Sequence, residues 1–470
     1  MSHTRQCSSI GNTPESFLEC LQYFLTPRLW RQAHQAMRRP RETRWRPKPL
    51  LFVLLVMTWS LGDSLPERFE TARAFYTACY QRRRRPGKTF VGWQKALTRT
   101  PASALRLVAT ILRRRLLQVF AKRWLVDGFV PIGCDGSGLQ CPRSRQLEEQ
   151  LRHRSRKRKR RGKKPRNGPR APHLWATTTV HLGLGLLWSW RLGTGTADER
   201  KHLVQLLPTL PERTLLIADA GFIGYDLLKT LVDKNISFLI RLCSNAPLYS
   251  PKRVNRERFR EDVFDYWPQK QQDKMQPPIR VRVLQIGRRS KAVWLMTNVF
   301  DAEQLSLVSA SRFYRWRWRH EGLFRTYKRT VGKVKLMGRT VKTVHREAEG
   351  SLLAVQLLLA HGALAVSTTA SAIPAHATPE LPSARAVLIE IRAEIRHVTA
   401  TYLGRQQWRT YLERLQRVRR DRRRKRRRNK IRRLWPSRVT YRPPKPPRIL
   451  KMGTLLKRRA EQLLGLAATG

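Results

Sequence analysis

The chain is poor in acidic residues. In 470 residues, 32 Asp and Glu stand against 96 Lys and Arg, which gives a formal net charge of +64. A charge of this size needs a polyanion to neutralise it, and nucleic acid is the natural partner because each phosphate contact releases a condensed counterion. An anionic membrane surface is the alternative. Since 41% of the residues are hydrophobic, we expect the charge to sit on a folded protein.

Other features are scarce or missing. The six cysteines form no C-x-x-C pair, which argues against a zinc finger or ribbon and suits a reducing cytoplasm. No uninterrupted apolar run reaches the roughly 18 residues that a membrane span needs, so we expect no membrane partner. The phosphate-binding pattern G-x-x-x-x-G-K-[ST] is missing, and ATP-driven chemistry is therefore unsupported.

Three regions follow one another along the chain. Residues 1–125 carry apolar positions at helical spacing and helix-start signals, which predict a helical N-terminal DNA-binding region. Residues 126–370 alternate strand and helix patterns, typical of an α/β sheet. Within them, the polar stretch at about 242–292 predicts a β-rich insertion. Residues 371–470 read as a linker followed by a basic C-terminal tail.

A basic arm is expected at residues 143–170, almost continuously basic at 154–170, and a second such run lies at 417–433. They lack apolar periodicity, so we expect loops or tails without a packed core. Such runs bind phosphates without reading the base sequence. A solvated tail without a partner is the alternative interpretation.

Two aspartates are placed alike in the α/β region. Asp135 follows the apolar stretch 129–134 and precedes Gly136, and Asp219 follows the apolar stretch 215–218. Each could cap a helix or turn a loop. Yet the helix after Asp219 is expected to begin at Gly224 or Tyr225, too far away to be capped. Open α/β sheets place their sites at strand ends, and phosphodiester cleavage needs carboxylates that hold two Mg²⁺ or Mn²⁺ ions.

A third acid, Glu321, falls in a helical pattern running from about 305 to 328. Tyr314, Arg317 and Lys328 share its face, because all four residues project into an arc of about 60° at 3.6 residues per turn. A surface ion pair is the simpler explanation for a helical Glu between arginines. A site gripping a DNA end would use the same set, with the acid on metal, the cations on phosphates and the ring against a sugar or base.

The spacing Y-x₂-R-x₃-E-x₆-K of these four residues resembles the signature of the bacterial insertion-sequence DDE transposases of the YREK group (insertion-sequence family four). Members of this group place a first catalytic Asp after the first core strand, as in Asp135-Gly136. They place a second before a small-Gly-aromatic turn, as in Asp219-Ala-Gly-Phe222. The resemblance covers roughly residues 125–365.

The resemblance implies an RNase H-like catalytic core with a β-rich insertion. It implies that the catalytic, metal-holding residues are Asp135, Asp219 and Glu321, with Tyr314, Arg317 and Lys328 on DNA. The implied activity is cleavage of transposon ends at their terminal inverted repeats and joining to double-stranded target DNA, by a homodimer. A non-catalytic basic DNA-binding protein, a decayed transposase copy and a nuclease without joining activity remain alternatives.

Three tryptophans are further candidates for stacking on bases. Trp294 lies where some relatives carry a tryptophan that stacks on a flipped base, but its apolar strand favours packing in the core. Trp316 and Trp318 alternate with arginines and could stack on bases, although the helical projection of Trp316 favours the core. His320 is expected to be structural.

Overall fold

The computed structural model describes residues 14, 16–37, 43–80, 85–151, 171–251, 254, 259–287, 292–369, 380–401 and 447–465. The basic run at 417–433 and most of the expected basic arm at 143–170 lie outside these residues. Helix α7 (Arg145–Leu151) occupies the described start of that arm, where a loop was expected.

The described part of residues 1–125 is helical, as expected. Its helices are α1 (Phe17–Phe24), α2 (Pro27–Met37), α3 (Pro47–Trp59), α4 (Leu65–Cys79), α5 (Phe90–Thr98) and α6 (Ala102–Val119). The hydroxyl of Ser64 accepts a hydrogen bond from the Glu67 amide and starts α4, as its sequence pattern indicates. Helix α3 is apolar all round and buried on every side, which marks it as a core helix.

The described strands form one ten-stranded sheet in the order β10-β6-β7-β8-β9-β5-β4-β1-β2-β3. Their bounds are β1 Val130–Gln140, β2 His173–His181, β3 Leu186–Thr194, β4 Thr214–Ala218, β5 Ser237–Arg241, β6 Pro247–Ser250, β7 Glu261–Tyr266, β8 Ile279–Ile286, β9 Val293–Thr297 and β10 Arg448–Lys451. Strands β1, β2 and β3 are antiparallel neighbours, whereas β4 runs parallel to both β1 and β5. This mixed α/β architecture agrees with the expected fold class.

The insertion and the C-terminal region extend this sheet. Strands β6 to β9, most of which lie in residues 242–292, continue it beyond β5. Strand β10 comes from the region expected to be linker and tail, and it pairs in parallel with β6. Helix α15 (Thr454–Leu463) follows, and a small apolar cluster of Tyr249, Trp267, Met452 and Ala460 joins the two segments.

The remaining helices pack around the sheet. Their bounds are α8 Glu199–Leu206, α9 Tyr225–Asp233, α10 Gln269–Asp273, α11 Leu307–Trp316, α12 Trp318–Arg325, α13 Val341–Thr369 and α14 Ala384–Thr401. Helix α13 joins the N-terminal helices to the sheet. The indole N–H of Trp59 donates to the Ala354 carbonyl at 3.2 Å, and Gly350 lets the Leu54 side chain approach α13 closely. One continuous hydrophobic core therefore spans both regions.

Part of α13 resembles a membrane span in length and composition. Within the described residues, Val341–Ser367 is the helical segment that meets both criteria, and 83% of its most apolar stretch is buried inside the protein. This segment was not foreseen from the sequence, where only uninterrupted apolar runs were considered and Gln356 and His361 interrupt this one. The burial is that of a core helix.

Candidate active site

Asp135 lies in the middle of β1, which corrects the expectation that it ends the strand. The parallel pairing of β1 with β4 stops at Gly133, opposite Ile217, while the pairing with β2 continues to Gln140. Asp135 thus sits just past the point where β1 and β4 separate. Its Oδ1 accepts a hydrogen bond from the Gly136 amide at 2.8 Å, and its side chain is half-buried.

Asp219 directly follows β4, as expected. It also caps a short 3₁₀ turn at Ala220–Phe222, and its Oδ1 accepts from the Gly221 amide at 2.8 Å. Sequence analysis rejected a capping role because α9 begins at Tyr225. The expected start of α9 is confirmed and Asp219 does not cap that helix, but an unexpected 3₁₀ turn of three residues fills the gap and Asp219 caps this turn.

The expected single helix over 305–328 is broken at Arg317. Helix α11 ends at Trp316, α12 begins at Trp318, and a π-helix follows at Thr326–Thr330. The Arg317 amide donates to the Tyr314 carbonyl, and the Arg317 carbonyl accepts from the His320 amide. These three-residue bonds tighten the backbone, whereas the π-turn widens it. A regular projection of 3.6 residues per turn therefore does not hold from Tyr314 to Lys328.

Two side-chain hydrogen bonds hold this segment over β1 and β2. His320 Nε2 lies 2.6 Å from Thr178 Oγ1, and Lys328 Nζ donates to Ser137 Oγ at 2.6 Å. Thr178 is the cross-strand partner of Asp135, and Ser137 follows Asp135 by two residues, so both side chains share its face of the sheet. The segment carrying Glu321 consequently lies along the face that presents Asp135.

His320 is structural, as expected. It is fully buried, and burial lowers the pKa of its imidazole to about 3, with a further lowering from Arg317. The ring is therefore neutral at physiological pH and serves as a hydrogen-bond partner.

Tyr314 is only 8% exposed, and its hydroxyl has no hydrogen-bond partner among the described residues. The Arg317 guanidinium lies 5.7 Å from the centre of the Tyr314 ring and 4.8 Å from that of Trp318. The ring packs against the core, and the expected contact of Tyr314 with a sugar or base stays a prediction. In this arrangement Tyr314 supports Arg317 through a cation–π contact.

Charges from three segments meet around Asp135. Burial raises the pKa of its carboxyl, and the Gly136 amide lowers it. The charge of Asp219 raises this pKa, Arg317 lowers it and Glu321 raises it. The structure thus brings the three expected acids and Arg317 into one electrostatic neighbourhood. Glu321 is exposed to solvent.

Glu199, the first residue of α8, is an acid of this neighbourhood that sequence analysis missed. A Cβ added at Gly136 would lie 2.2 Å from Glu199 Oε1 and 2.6 Å from Trp175 Nε1, so these side chains occupy the space beside Gly136. Burial raises the pKa of Glu199, the Asp135 charge raises it further, Trp175 lowers it and Asp219 raises it. An acid in the first turn of a helix is common, so its position alone gave no signal.

The donor chemistry of this neighbourhood suits a divalent cation. Carboxylate oxygens are the ligands that Mg²⁺ prefers, and acids that raise one another's pKa values are relieved by a nearby positive charge. Among the described residues, however, no three His, Cys, Asp or Glu side chains lie close enough to hold a metal ion. Coordination would therefore require the carboxylates to move towards one another.

The burial of the three tryptophans distinguishes packing in the core from stacking on bases. Trp294 is buried and stacks on Phe259 with ring centres 4.9 Å apart, so the expected core packing is confirmed. Trp316 is also buried, whereas Trp318 is 49% exposed. The cysteines within the described residues are all free.

Residues 134–357, slightly less than half of the chain, match the family model described as the transposase DDE domain. This stretch starts beside Asp135 and contains Asp219, Glu321 and Lys328. The match supports a transposase with a DDE domain and a role in transposition. No curated protein matches the sequence.

Among solved structures, the chain is similar to a piggyBac transposase, determined by cryo-electron microscopy as a synaptic complex with hairpin DNA. The sequence identity is 11%, over 85% of this chain and 84% of that chain, and the TM-score is 0.41.

Proposed function

We propose that the chain is a DNA transposase with an RNase H-like DDE core, which cleaves transposon ends and joins them to target DNA. The observation that carries this proposal is the meeting of Asp135, Asp219, Glu321 and Arg317 within the stretch that matches the transposase DDE domain. The strand order β3-β2-β1-β4-β5, with both aspartates just beyond the carboxyl end of the parallel β1–β4 pairing, supports the RNase H-like assignment.

In this proposal Asp135, Asp219 and Glu321 hold two Mg²⁺ or Mn²⁺ ions. When bound, such ions activate a water or a 3′-hydroxyl and stabilise the leaving oxygen. The residues of the chain itself bind and orient the DNA end. Lys328, held beside Asp135 by Ser137, is placed to contact a phosphate near the reacting bond, and Arg317 offsets the charge of the acids.

The partners follow from the resemblance to the YREK group. We propose that a homodimer acts on double-stranded DNA, at the terminal inverted repeats of its transposon and at a target site, in the bacterial cytoplasm. The formal charge of +64 supports a nucleic-acid partner. The basic residues 154–170 and 417–433 would add contacts to phosphates that are independent of base sequence.

A cleavage and joining assay tests the proposal. The purified full chain is incubated with Mg²⁺ and labelled DNA carrying the inverted repeats that flank its gene, beside Asp135→Asn, Asp219→Asn and Glu321→Gln. The matched control is Glu149→Gln, whose surface ion pair with Arg145 is exposed. We expect end-specific cleavage by the wild type and the control, and none by the three site variants, which should still bind DNA. Equal cleavage by the Glu321→Gln variant would remove Glu321 from the site.

A DNA-binding protein without catalytic activity is the second candidate, and one observation favours it. The described acids share a neighbourhood but no three of them form a metal-binding group, as in a copy whose site has decayed. Tight binding without cleavage by wild type and variants alike would support this candidate. Cleavage of the DNA without insertion of a labelled end would indicate a nuclease that does not join strands.

A further inference from the structure

A basic groove lies beside the candidate active site. Its walls are α12 with the following π-helix on one side and the start of α14 on the other, and its volume is about 1210 Å³. Arginines supply much of its polar lining, at Arg325, Arg329, Arg385 and Arg392, while Glu380 is the acid among its described lining residues. The excess of positive charge favours an anionic occupant.

Trp318 lines the same groove and is 49% exposed. The Arg317 guanidinium lies 4.8 Å from the centre of the Trp318 indole. Arg317 also belongs to the electrostatic neighbourhood of Asp135. Arg317 therefore links that neighbourhood to an aromatic ring that is open to the groove.

The groove starts at the edge of the acid neighbourhood. Gly322 lines it and directly follows Glu321. Trp318, Gly322 and Arg325 face the groove, while His320 on the same helix points to the sheet and binds Thr178. Glu321 thus stands between the groove and the sheet face that carries Asp135.

We infer that this groove holds an unpaired DNA strand, with a base stacked on Trp318 and its phosphates near Arg325, Arg329 and Arg385. An indole ring beside cations is the arrangement that binds single strands without sequence preference, because every base has a stacking face. A base inside a duplex is already stacked on both sides and cannot use the ring. This inference rests on the proposed function, and it adds where the separated strand lies.

A binding measurement tests the groove without requiring cleavage. The full chain is titrated, with no divalent metal present, into a single-stranded oligonucleotide and a blunt duplex, each carrying 2-aminopurine as a fluorescent base. We expect stacking on Trp318 to quench the single strand more than the duplex. Trp318→Ala should weaken single-strand binding roughly tenfold and remove the extra quench, and Trp318→Phe should restore much of both.

Two controls separate stacking from folding and from bulk charge. Phe300→Ala removes an aromatic ring of similar exposure, 48%, from outside the groove and should leave binding unchanged. Arg385→Gln, on the opposite wall, should weaken single-strand binding severalfold. Unchanged quench and affinity in Trp318→Ala would overturn the inference, as would displacement of the oligonucleotide by poly-glutamate at equal charge concentration. Because this binding measurement does not need cleavage, the inference about the groove can hold even if the cleavage and joining assay shows no activity.

Discussion

Asp135 and Asp219 each lie two residues beyond the last positions at which β1 and β4 pair with each other, Gly133 in β1 and Ile217 in β4. The two strands separate at this point, because β1 continues along β2 while β4 ends at Ala218. A cleft between parallel strands opens where their pairing stops, and each strand places one carboxylate at its mouth. The matched offsets make the aspartates neighbours although 84 positions separate them in the sequence.

Gly136→Ala should disturb the candidate site. The added Cβ would lie within 2.2 Å of Glu199 Oε1 and 2.6 Å of the rigid Trp175 ring, so both side chains must shift beside Asp135. We expect DNA cleavage to fall at least tenfold, with DNA binding retained. The matched control is Gly138→Ala, whose Cβ would meet nothing closer than 3.4 Å. An equal loss in both variants would show that Glu199 and Trp175 are not the cause.

Glu347→Gln should destabilise the segment between the π-helix and α13. Glu347 Oε1 lies 2.7 Å from Lys333 Nζ, and its Oε2 accepts from the Met337 and Gly338 amides at 2.8 and 2.9 Å. Removing one partner of a buried ion pair leaves an unpaired charge, so we expect a loss of about 3 kcal/mol in the free energy of unfolding.

Urea denaturation measures this loss. The control Glu461→Gln, in an exposed pair with Lys457, should change stability by less than about 1 kcal/mol. A loss of that small size in Glu347→Gln would mean that the pair is not held as described.

Gly350→Ala should overpack the crossing of α3 and α13. Its Cβ would lie 2.5 Å from the Leu54 Cγ atom, and overpacking costs about 1–3 kcal/mol. The double variant Gly350→Ala with Leu54→Ala removes the clash, so it should be more stable than the sum of the two single losses predicts. Thermal or urea unfolding of the four proteins gives this coupling. Additive losses would show that the two residues do not meet.

His181 should make the protein less stable in mild acid. Its Nε2–H donates to the Trp124 carbonyl at 2.9 Å, and its Nδ1 accepts from the Leu184 amide at 3.1 Å. Burial lowers the pKa of His181 from 6.5 to about 4. Protonation would turn Nδ1 into a donor that faces the Leu184 N–H donor, and this hydrogen bond would be lost. Between pH 6.5 and about 4, the unfolded chain binds this proton more readily than the folded protein does. The contribution of neutral His181 to stability is therefore complete above pH 6.5 and disappears as the pH falls towards 4.

The expected size is about 1.4 kcal/mol per pH unit within that window for one histidine. Unfolding free energies of wild type and His181→Gln at several pH values give the comparison, because the variant lacks the titrating group. We expect the slope of the variant to be shallower by that amount. Parallel slopes would show that another group causes the acid sensitivity.

Local patterns predicted much of this fold, and irregular backbone accounts for most of the errors. Helix α9 begins where it was expected, and strands β6 to β8 fall in the expected β-rich insertion, because apolar periodicity and changes of composition are read directly from neighbouring residues. The break at Arg317 and the turn capped by Asp219 depend on a change of hydrogen-bond pattern over three or five residues, which no periodicity marks. The acids that the fold brings into one neighbourhood were therefore predicted from the sequence, whereas the irregular backbone that holds them was not.

Contacts between distant segments were the other source of error. Tyr314 was placed on DNA by its spacing, but its burial depends on packing against the core. Glu199 belongs with Asp135 only because Gly136 leaves room for it. The strand in the C-terminal region became visible only through its partner β6, since a four-residue strand flanked by lysines and arginines carries little signal of its own.

That late strand has a consequence for synthesis. β6 is made about 200 residues before β10, and ribosomes add roughly 5–20 residues per second. For about 10–40 s the nascent chain exposes the unpaired edge that β10 will cover, at the rim of a sheet that is otherwise complete. Neighbouring nascent chains on one messenger RNA carry the same open edge. The final strand thus covers the β6 edge with a short outer strand, whose Arg448 and Lys451 disfavour pairing with a sister chain.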